Sequence, residues 1–292
     1  QRACMAFGDR SDGVRLRKLP AFRKMFPYLI RTRTESAVYY SQRLRLAKTL
    51  AWLDRTNAAR EKKITLFHVL LAAGVRTLAL RPEANRFIAG YRIFQRRTID
   101  LSFVVKRELS EEATETTVKI TFNPRSTVAD VVERVTQVVE ATRQSSTSRD
   151  EAATAIVTRL PRSLLRLATR AVRTLDYFGL LPASFIKGDA LSTSAFVANL
   201  GSIGADAVFH HLYEWGNAPF FVTIGRRKKE PVVDEHGELK VEDTMDLKFT
   251  LDERISDGVY YQATISLLSN LIENPEKLEF PPETLPDPFA LK

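Results

Sequence analysis

The chain has 292 residues, of which 44% are hydrophobic and 27% are charged, so it can bury a sizeable core as one large domain or two average ones. No apolar run reaches the ~18–20 residues that a membrane-spanning helix needs, and the N-terminus lacks the pattern of a secretory signal. The net charge of +9 suits nucleic acid, anionic lipid or an anionic cofactor, but zinc-finger spacing and aromatic RNA-binding motifs are absent, which argues against nucleic acid.

The N-terminal segment, residues 1–34, is basic and has no regular apolar pattern. Pro20 and Pro27 argue against one long helix here. We therefore expect an arm that packs on the domain or on a neighbouring subunit, with a dedicated anion site as the alternative. The segment holds the only cysteine, Cys4, which excludes an internal disulfide and favours a reducing, cytoplasmic compartment.

The first half of the remaining chain changes from helical to strand periodicity and back. Apolar residues three and four apart predict helices, and alternating β-branched and aromatic residues predict strands. Pro82 ends the second helix, and a Ser/Thr cap begins the third. The predicted helices cover 44–60, 64–80 and 127–144, and the predicted strands cover 91–97, 99–106 and 116–122.

The second half begins with a polar break over 145–149. The predicted elements are a helix over 151–175 that restarts at Pro161, strands over 194–197, 220–224, 238–241 and 245–250, a hairpin turn at 234–237, and a last helix over 255–272. Because no linker interrupts the pattern, we predict one domain over 35–282, with helices on a mixed sheet, preceded by the arm and followed by an extended proline-rich tail over 283–292.

One predicted helix carries an unusual row of positive charges. Its arginines recur every three or four residues and so share one face, opposite a face of leucine, alanine and valine. Two interpretations are open: a helix docked on the domain with a solvated basic face, or contact with an anionic membrane surface or a partner. The arginines are Arg159, Arg162, Arg166, Arg170 and Arg173.

A short motif near the C-terminus, residues 245–258, reads MDLKFTLDERISDG. It resembles the strand and the Asp-His-Arg-x-x-Asp-Gly signature of the dihydrolipoamide acyltransferase catalytic domain, whose His-x-x-x-Asp-Gly core is shared by chloramphenicol acetyltransferase. Four further segments resemble that family in order and spacing, so that the resemblance covers about residues 35–282. They are 82–85 (PEAN), 199–204 (NLGSIG), 225–233 (with Gly-Arg and Pro-Val-Val) and 273–278 (ENPEKL).

The resemblance implies an α/β fold of the chloramphenicol acetyltransferase type, a mixed sheet flanked by helices, in a homotrimer whose active sites lie between subunits. A larger assembly of trimers stays open. The family chemistry uses a histidine base, an aspartate that supports the site through a salt bridge, and a serine that stabilises the oxyanion. CoA or acyl-CoA is the implied substrate, with no metal and no covalent lipoyl group, and we expect a stand-alone form without a lipoyl domain.

Two positions depart from the family pattern. Glu253 stands where the family has its histidine and Ala198 where it has its serine, whereas Arg254 and Asp257 match. A glutamate whose pKa is raised by burial can act as a base; the other interpretation is a structural residue paired with an arginine. Ser194 is a candidate replacement for the missing hydroxyl, although alternation puts it several ångströms from Ala198 on the same strand face.

The implied site includes further residues. Asn199 belongs to the matched Asn-Leu-Gly segment, as does Ser202, and the basic run Arg226, Arg227 and Lys228 follows a strand end. These cations and Ser202 are candidates for binding CoA phosphates, with a solvated turn as the alternative. His210, next to His211, is either a structural histidine or part of an intersubunit channel.

Three hypotheses for function follow. The first is acyl transfer from acyl-CoA to an unidentified thiol, hydroxyl or amine, with Glu253 as surrogate base. The second is a catalytically inactive structural or regulatory core subunit of an acyltransferase-type assembly. The third is a membrane-surface assembly factor that uses the row of five arginines.

Overall fold

The computed structural model describes residues 8–106, 115–144, 159–234 and 236–292. Cys4 and the first part of the helix predicted over 151–175 lie outside the described residues. The strands are β1 (Gly13–Arg15), β2 (Ala37–Arg45), β3 (Arg86–Ala89), β4 (Arg92–Arg96), β5 (Ile99–Lys106), β6 (Glu115–Phe122), β7 (Ala195–Asn199), β8 (Phe220–Ile224), β9 (Lys228–Val233) and β10 (Leu239–Asp252).

The helices of the described part connect these strands. They are α1 (Ala21–Leu29), α2 (Ala47–Asn57), α3 (Leu66–Leu80), α4 (Val128–Gln144), α5 (Arg162–Phe178), α6 (Ala183–Gly188) and α7 (Gly258–Glu273). Short 3₁₀ turns cover Pro82–Asn85, Leu200–Ile203 and Pro275–Leu278.

A mixed sheet forms the centre of the described structure. Its strand order is β2-β10-β8-β7-β5-β6, and β9 pairs with the first half of β10. The pairs β5–β7 and β7–β8 are parallel, and the others are antiparallel. A separate antiparallel sheet has the order β1-β4-β3. The predicted α/β class with a mixed sheet and flanking helices is confirmed.

Helices α3 and α7 pack against each other over one face of the central sheet. The sequence of α3 is apolar on most sides, and Leu71 and Val75 are almost completely buried, as expected for a helix inside the core. Facing strand residues such as Leu247 and Phe249 are buried as well. Burial of each such side chain stabilises the fold by about 1.5–3 kcal/mol.

Strand β2 corrects the prediction of a helix beginning at residue 44. Nine residues of β2 pair with the C-terminal part of β10, and Leu44 is fully buried in that pairing. Helix α2 therefore begins only at Ala47. The apolar residues at the start of the predicted helix belong to the edge of the sheet, because strand pairing decided a stretch that local periodicity left ambiguous.

The N-terminal arm is more regular than predicted. Strand β1 pairs with β4, and α1 follows Pro20, whose fixed backbone suits the position before a helix. The two strands predicted over 238–241 and 245–250 are one continuous strand, β10, which pairs with β9, β8 and β2 in turn.

Helix α5 leaves its apolar face exposed in the described structure, which contradicts the first interpretation, a helix docked on the domain. None of its residues is buried, and Leu167 is 64% exposed. Only its C-terminal end is held firmly: the Arg10 guanidinium donates to the Asp176 carboxylate at 2.7 Å and to the Asp176 carbonyl at 2.8 Å. None of the described helices is long and apolar enough to cross a membrane.

Candidate functional site

The end of β10 carries a buried ion pair between Asp252 and Arg254. The Arg254 guanidinium donates to both carboxylate oxygens of Asp252, at 2.8 and 2.6 Å, and both side chains are at most 3% exposed. The backbone N–H of Arg254 also donates to the same carboxylate, at 3.1 Å. Such a two-pronged contact fixes the guanidinium plane and therefore the turn that leaves the strand.

The same arginine ties the N-terminal arm to this turn. Its Nη1 donates to the backbone carbonyls of Arg31 at 3.1 Å and Ile30 at 3.4 Å. Nearby, Arg33 donates to the carbonyl of Tyr213. Burial lowers the pKa of Arg33 to about 10, and the Asp252 carboxylate partly opposes this shift. Arg254 thus joins the turn after β10 to the N-terminal arm, and Arg33 joins the arm to the segment that holds Tyr213.

Asp257, the second matched acid of the motif, begins helix α7. Its Oδ1 accepts the backbone N–H of Tyr260 at 2.8 Å, which makes it the N-cap of the helix. Its Oδ2 lies 3.5 Å from the guanidinium of Arg23 in α1, and the Asp257 side chain is 60% exposed. The salt bridge that the resemblance implies for this aspartate is therefore present, in an exposed form.

Glu253 lies between these two engaged acids in the sequence, and it is half-buried. Its backbone N–H donates to the carbonyl of Ser36, but its carboxylate forms no hydrogen bond or ion pair within the described part of the chain. The described structure contains no pairing of Glu253 with an arginine, and Asp252 occupies the guanidinium of the neighbouring Arg254.

The residues at the missing serine do not supply a hydroxyl to the site. Ala198 is half-buried on β7, and Ser194 is completely buried just before that strand. The Ser194 Oγ accepts the backbone N–H of Asp100 at 2.9 Å, and the Ser194 N–H donates to the Asp100 carbonyl. This geometry does not support Ser194 as a donor to a substrate oxyanion, because its hydroxyl joins two chain segments in the core.

Asn199 and Glu253 lie at opposite ends of the sheet. Asn199 is level with Ile224 in the register of β7 and β8, and Ile224 is level with Leu247 of β10. Glu253 lies six positions after Leu247 along β10 and its turn, which at ~3.3 Å per position amounts to about 20 Å. One chain alone therefore does not bring together the two halves of the implied site.

The basic run after β8 lies beside the Asn-Leu-Gly segment. Close approach is allowed by Gly201, since a Cβ there would lie 2.6 Å from the Gly225 carbonyl oxygen. Ser202, however, donates its hydroxyl to the carbonyl of Asn199, at 2.7 Å. Ser202 lies in the exposed 3₁₀ turn Leu200–Ile203, whose Gly201 packs against Gly225 and Arg226 at the start of the basic run.

The three cations of that run have acidic partners, which sequence reasoning missed. Arg226 and Lys228 each lie 2.9 Å from Asp206, and Arg227 lies 3.1 Å from Asp243. These pairs reduce the positive potential that would attract CoA phosphates. No local signal identifies the partners, because Asp206 lies in the loop after β7 and Asp243 in β10.

His210 lies on the other face of the central sheet. Its ring stacks on Phe221 with centroids 3.8 Å apart, and its carbonyl accepts the hydroxyl hydrogen bond of Thr250. The neighbouring Phe209 contacts the ring of Tyr39 at 5.4 Å, and both are about half exposed. Among the described residues, no three His, Cys, Asp or Glu side chains cluster in a way that could hold a metal ion.

Comparison with known proteins supports the resemblance seen in the sequence. Residues 187–280, about a third of the chain, match the family model of the 2-oxoacid dehydrogenases acyltransferase catalytic domain. The predicted family resemblance is confirmed over this segment, which contains β7 to β10 and α7. The search of curated proteins found no match to this chain.

Solved structures show the same fold over most of the chain. The dihydrolipoamide acetyltransferase of Azotobacter vinelandii is 14% identical with a TM-score of 0.59, covering 90% of this chain and 93% of that one. A truncated catalytic core of the 2-oxoacid dehydrogenase multienzyme complex from Thermoplasma acidophilum is 13% identical with a TM-score of 0.54, covering 90% and 99%. A chloramphenicol acetyltransferase is 12% identical with a TM-score of 0.54, covering 90% and 98%. Helix α5 lies before the segment matched by the family model.

Proposed function

We propose that the chain is a non-catalytic core subunit built on the scaffold of a CoA-dependent acyltransferase. The observation that carries this proposal is the use of the motif residues for structure. Asp252 and Arg254 form a buried pair and Asp257 caps α7, whereas the positions for base and oxyanion donor hold Glu253 and Ala198. A scaffold that keeps the supporting residues and replaces the reacting ones retains its shape without its chemistry.

A homotrimer is the proposed state of assembly. The distance of about 20 Å between Asn199 and Glu253 in one chain supports it, because a second chain is needed to bring such residues together. The similar Thermoplasma structure is a core of a multienzyme complex, which supports a role as a core subunit and leaves larger assemblies of trimers open. The single cysteine favours a reducing, cytoplasmic compartment for this assembly.

CoA or acyl-CoA is the ligand class that such a scaffold would take, and we expect its binding to be weak. Arg226, Arg227 and Lys228 would have to exchange their aspartate partners for phosphate groups. Exposed ion pairs cost little to break, about 0–1 kcal/mol each, but the nearby aspartates would repel the incoming anion.

A second candidate function is acyl transfer from acyl-CoA with Glu253 as the base. One observation favours it: Glu253 is only half-buried, and its carboxylate has no hydrogen-bond or ion-pair partner in the described structure. Such a carboxylate can approach the thiol or hydroxyl of an acceptor without first breaking a contact. The acceptor would have to enter at a subunit boundary.

Thiol release from a panel of acyl-CoAs, with and without acceptors, tests the two functions. The non-catalytic proposal predicts that the purified protein releases thiol at the buffer rate and that Glu253→Gln changes nothing. Glu283→Gln, at an exposed position in the tail, is the matched control. Turnover that falls at least tenfold in Glu253→Gln but not in Glu283→Gln would establish the enzyme and overturn the proposal.

Assembly is tested separately by sedimentation equilibrium of the same preparation. The proposal predicts a species with three times the mass of the chain or a multiple of it. A monomer at micromolar concentration would contradict the proposed trimer and leave the question of activity unaffected.

A further inference from the structure

Helix α5 presents an apolar stripe that the described structure leaves uncovered. At 100° per residue, Leu164, Leu167 and Leu175 fall on one side of the helix together with Phe178. Leu167 and Phe178 are 64% and 63% exposed, and the helix buries none of its residues. An exposed stripe of this kind on a stable helix indicates a surface that something else covers.

The opposite side of α5 carries an arginine face without acidic partners. Arg162, Arg166, Arg170 and Arg173 lie within about 80° of one another around the helix, and Arg159 precedes them. Their side chains form no ion pair or hydrogen bond within the described part of the chain. An apolar stripe backed by uncompensated cations is typical of helices that lie in the surface of an anionic bilayer.

Helix α1 extends this surface. Phe22 and Leu29 are 72% and 61% exposed, and Met25 is half-exposed on the same side of the helix. This second apolar group is short, but it adds large side chains of the kind that enter the boundary between headgroups and acyl chains.

A row of aromatic rings connects the two helices. Tyr28 of α1 stacks on Tyr91 with centroids 5.2 Å apart, Tyr91 contacts Tyr177 of α5 at 5.9 Å, and Tyr177 contacts Phe178 at 5.0 Å. The turn that holds Tyr91 packs tightly on α5, because a Cβ on Gly90 would lie 2.2 Å from the Tyr177 carbonyl oxygen. Tyrosine is favoured where one side of a surface is apolar and the other is wet.

A basic pocket of about 270 Å³ opens beside this row of rings. Its lining includes Arg15, Lys24 and Arg92 together with Tyr28 and Tyr91, and it contains no acidic side chain. Arg15, Lys24 and Arg92 form no ion pair within the described residues. Burial, and then the charges of Arg92 and Arg17, lower the pKa of Arg15, so a bound anion would relieve the repulsion in the pocket.

We propose that α1, α5 and the basic pocket form one surface, the α1–α5 surface, that binds an anionic lipid bilayer. The apolar side chains enter the headgroup boundary, the arginines contact phosphates, and the pocket holds a phosphate-bearing headgroup. The charges favour an anionic bilayer over a second copy of the chain, because each copy carries a net charge of +9 and would repel these cations. The surface lies outside the segment matched by the family model and does not depend on catalysis.

Co-sedimentation of the full chain with lipid vesicles tests the proposal. We expect binding to phosphatidylcholine vesicles that contain phosphatidylglycerol, little binding to phosphatidylcholine alone, and weaker binding as salt rises. Leu164→Ser with Leu167→Ser should weaken binding about tenfold or more, since each leucine loses apolar contact. Leu239→Ser with Val241→Ser, both 71% exposed on β10, is the control and should bind like the wild type.

Two matched charge-reversal variants distinguish binding through the arginine face from nonspecific attraction between a basic protein and an anionic bilayer. Arg166→Glu with Arg170→Glu should abolish binding, whereas Arg60→Glu with Lys62→Glu changes net charge equally in an exposed loop and should retain most of it. Circular dichroism confirms that each variant is folded, which we expect because all four positions are exposed.

Four results would overturn the proposal. They are equal binding to both types of vesicle, equal loss in the control variants, binding of inorganic phosphate without binding of vesicles, and a lower sedimentation mass of the Leu164→Ser/Leu167→Ser variant with unchanged vesicle binding. The last result would instead assign the apolar stripe to contact between copies of the chain.

Discussion

The turn after β10 and the surface of α5 differ in whether their charged side chains have partners. In the turn, Asp252 and Arg254 are buried and satisfy each other, and Asp257 caps a helix. On α5, the arginines stand without acidic partners in the described structure, and no residue is buried. The comparison indicates that the motif resembling acyltransferases stabilises the fold, whereas the row of arginines lies on the surface.

Arg254→Ala should give the largest effect on stability. Removal of one partner leaves the Asp252 carboxylate buried without compensation, which costs about 3–5 kcal/mol, and also frees the arm at Arg31. Urea unfolding measures the difference. The control is Arg43→Ala, which removes a half-exposed partner of Asp246 and should cost less than about 1 kcal/mol. Equal effects of the two substitutions would show that the pair at the end of β10 is not structural.

Asp257→Ala should have an intermediate effect, about 1 kcal/mol, because it removes the N-cap of α7. Asp257→Asn keeps an acceptor for the Tyr260 N–H and loses only the exposed contact with Arg23, so we expect it to unfold like the wild type. Thermal unfolding distinguishes the two variants. A larger loss in Asp257→Asn than in Asp257→Ala would indicate that the charge, not the cap, is what matters here.

His68 should give the smallest effect, and one that depends on pH. Its Nδ1 accepts the backbone N–H of Thr65 at 3.1 Å in the cap of α3, and burial lowers its pKa below the ordinary value. Because the folded pKa is depressed, the stabilisation is present above the unfolded pKa and is lost as pH falls through the folded pKa. Acidification should therefore destabilise the protein by up to about 1 kcal/mol through this cap.

The variant His68→Gln isolates that effect, since glutamine can serve the same cap without titrating. We expect the wild type to lose more stability than His68→Gln between about pH 7 and about pH 5. Parallel urea titrations at the two pH values check this. Identical losses in both proteins would exclude His68 as the source.

The sequence predicted the class of the fold because its strongest patterns are local. Periodicity located α3 and α4 and the pair β5–β6, and the motif located the β10–α7 junction within a few residues. Strand β2 was missed because its identity depends on pairing with β10, some two hundred residues away in the chain. The arm over 1–34 was predicted to be irregular because of its two prolines, but Pro20 directly precedes α1 and Pro27 lies within it.

The candidate site was less predictable because it depends on register and on side-chain partners. Alternation placed Ser194 on the face of Ala198, but only the structure shows that Asp100 engages its hydroxyl. The positive run over 226–228 suggests a phosphate site, but in the structure Asp206 forms ion pairs with Arg226 and Lys228. For α5, the sequence predicts that the arginines share one face. It does not predict that the apolar face is left exposed in the described structure.

The most direct measurement of the central claim is acyl transfer by the wild type beside the variant Ala198→Ser/Glu253→His, which restores both replaced groups of the family site. A non-catalytic scaffold predicts a wild-type rate equal to that of buffer, and a rate in the variant that is equal or higher. A wild-type rate above buffer that the double substitution lowers would contradict it, because Glu253 would then be a working base.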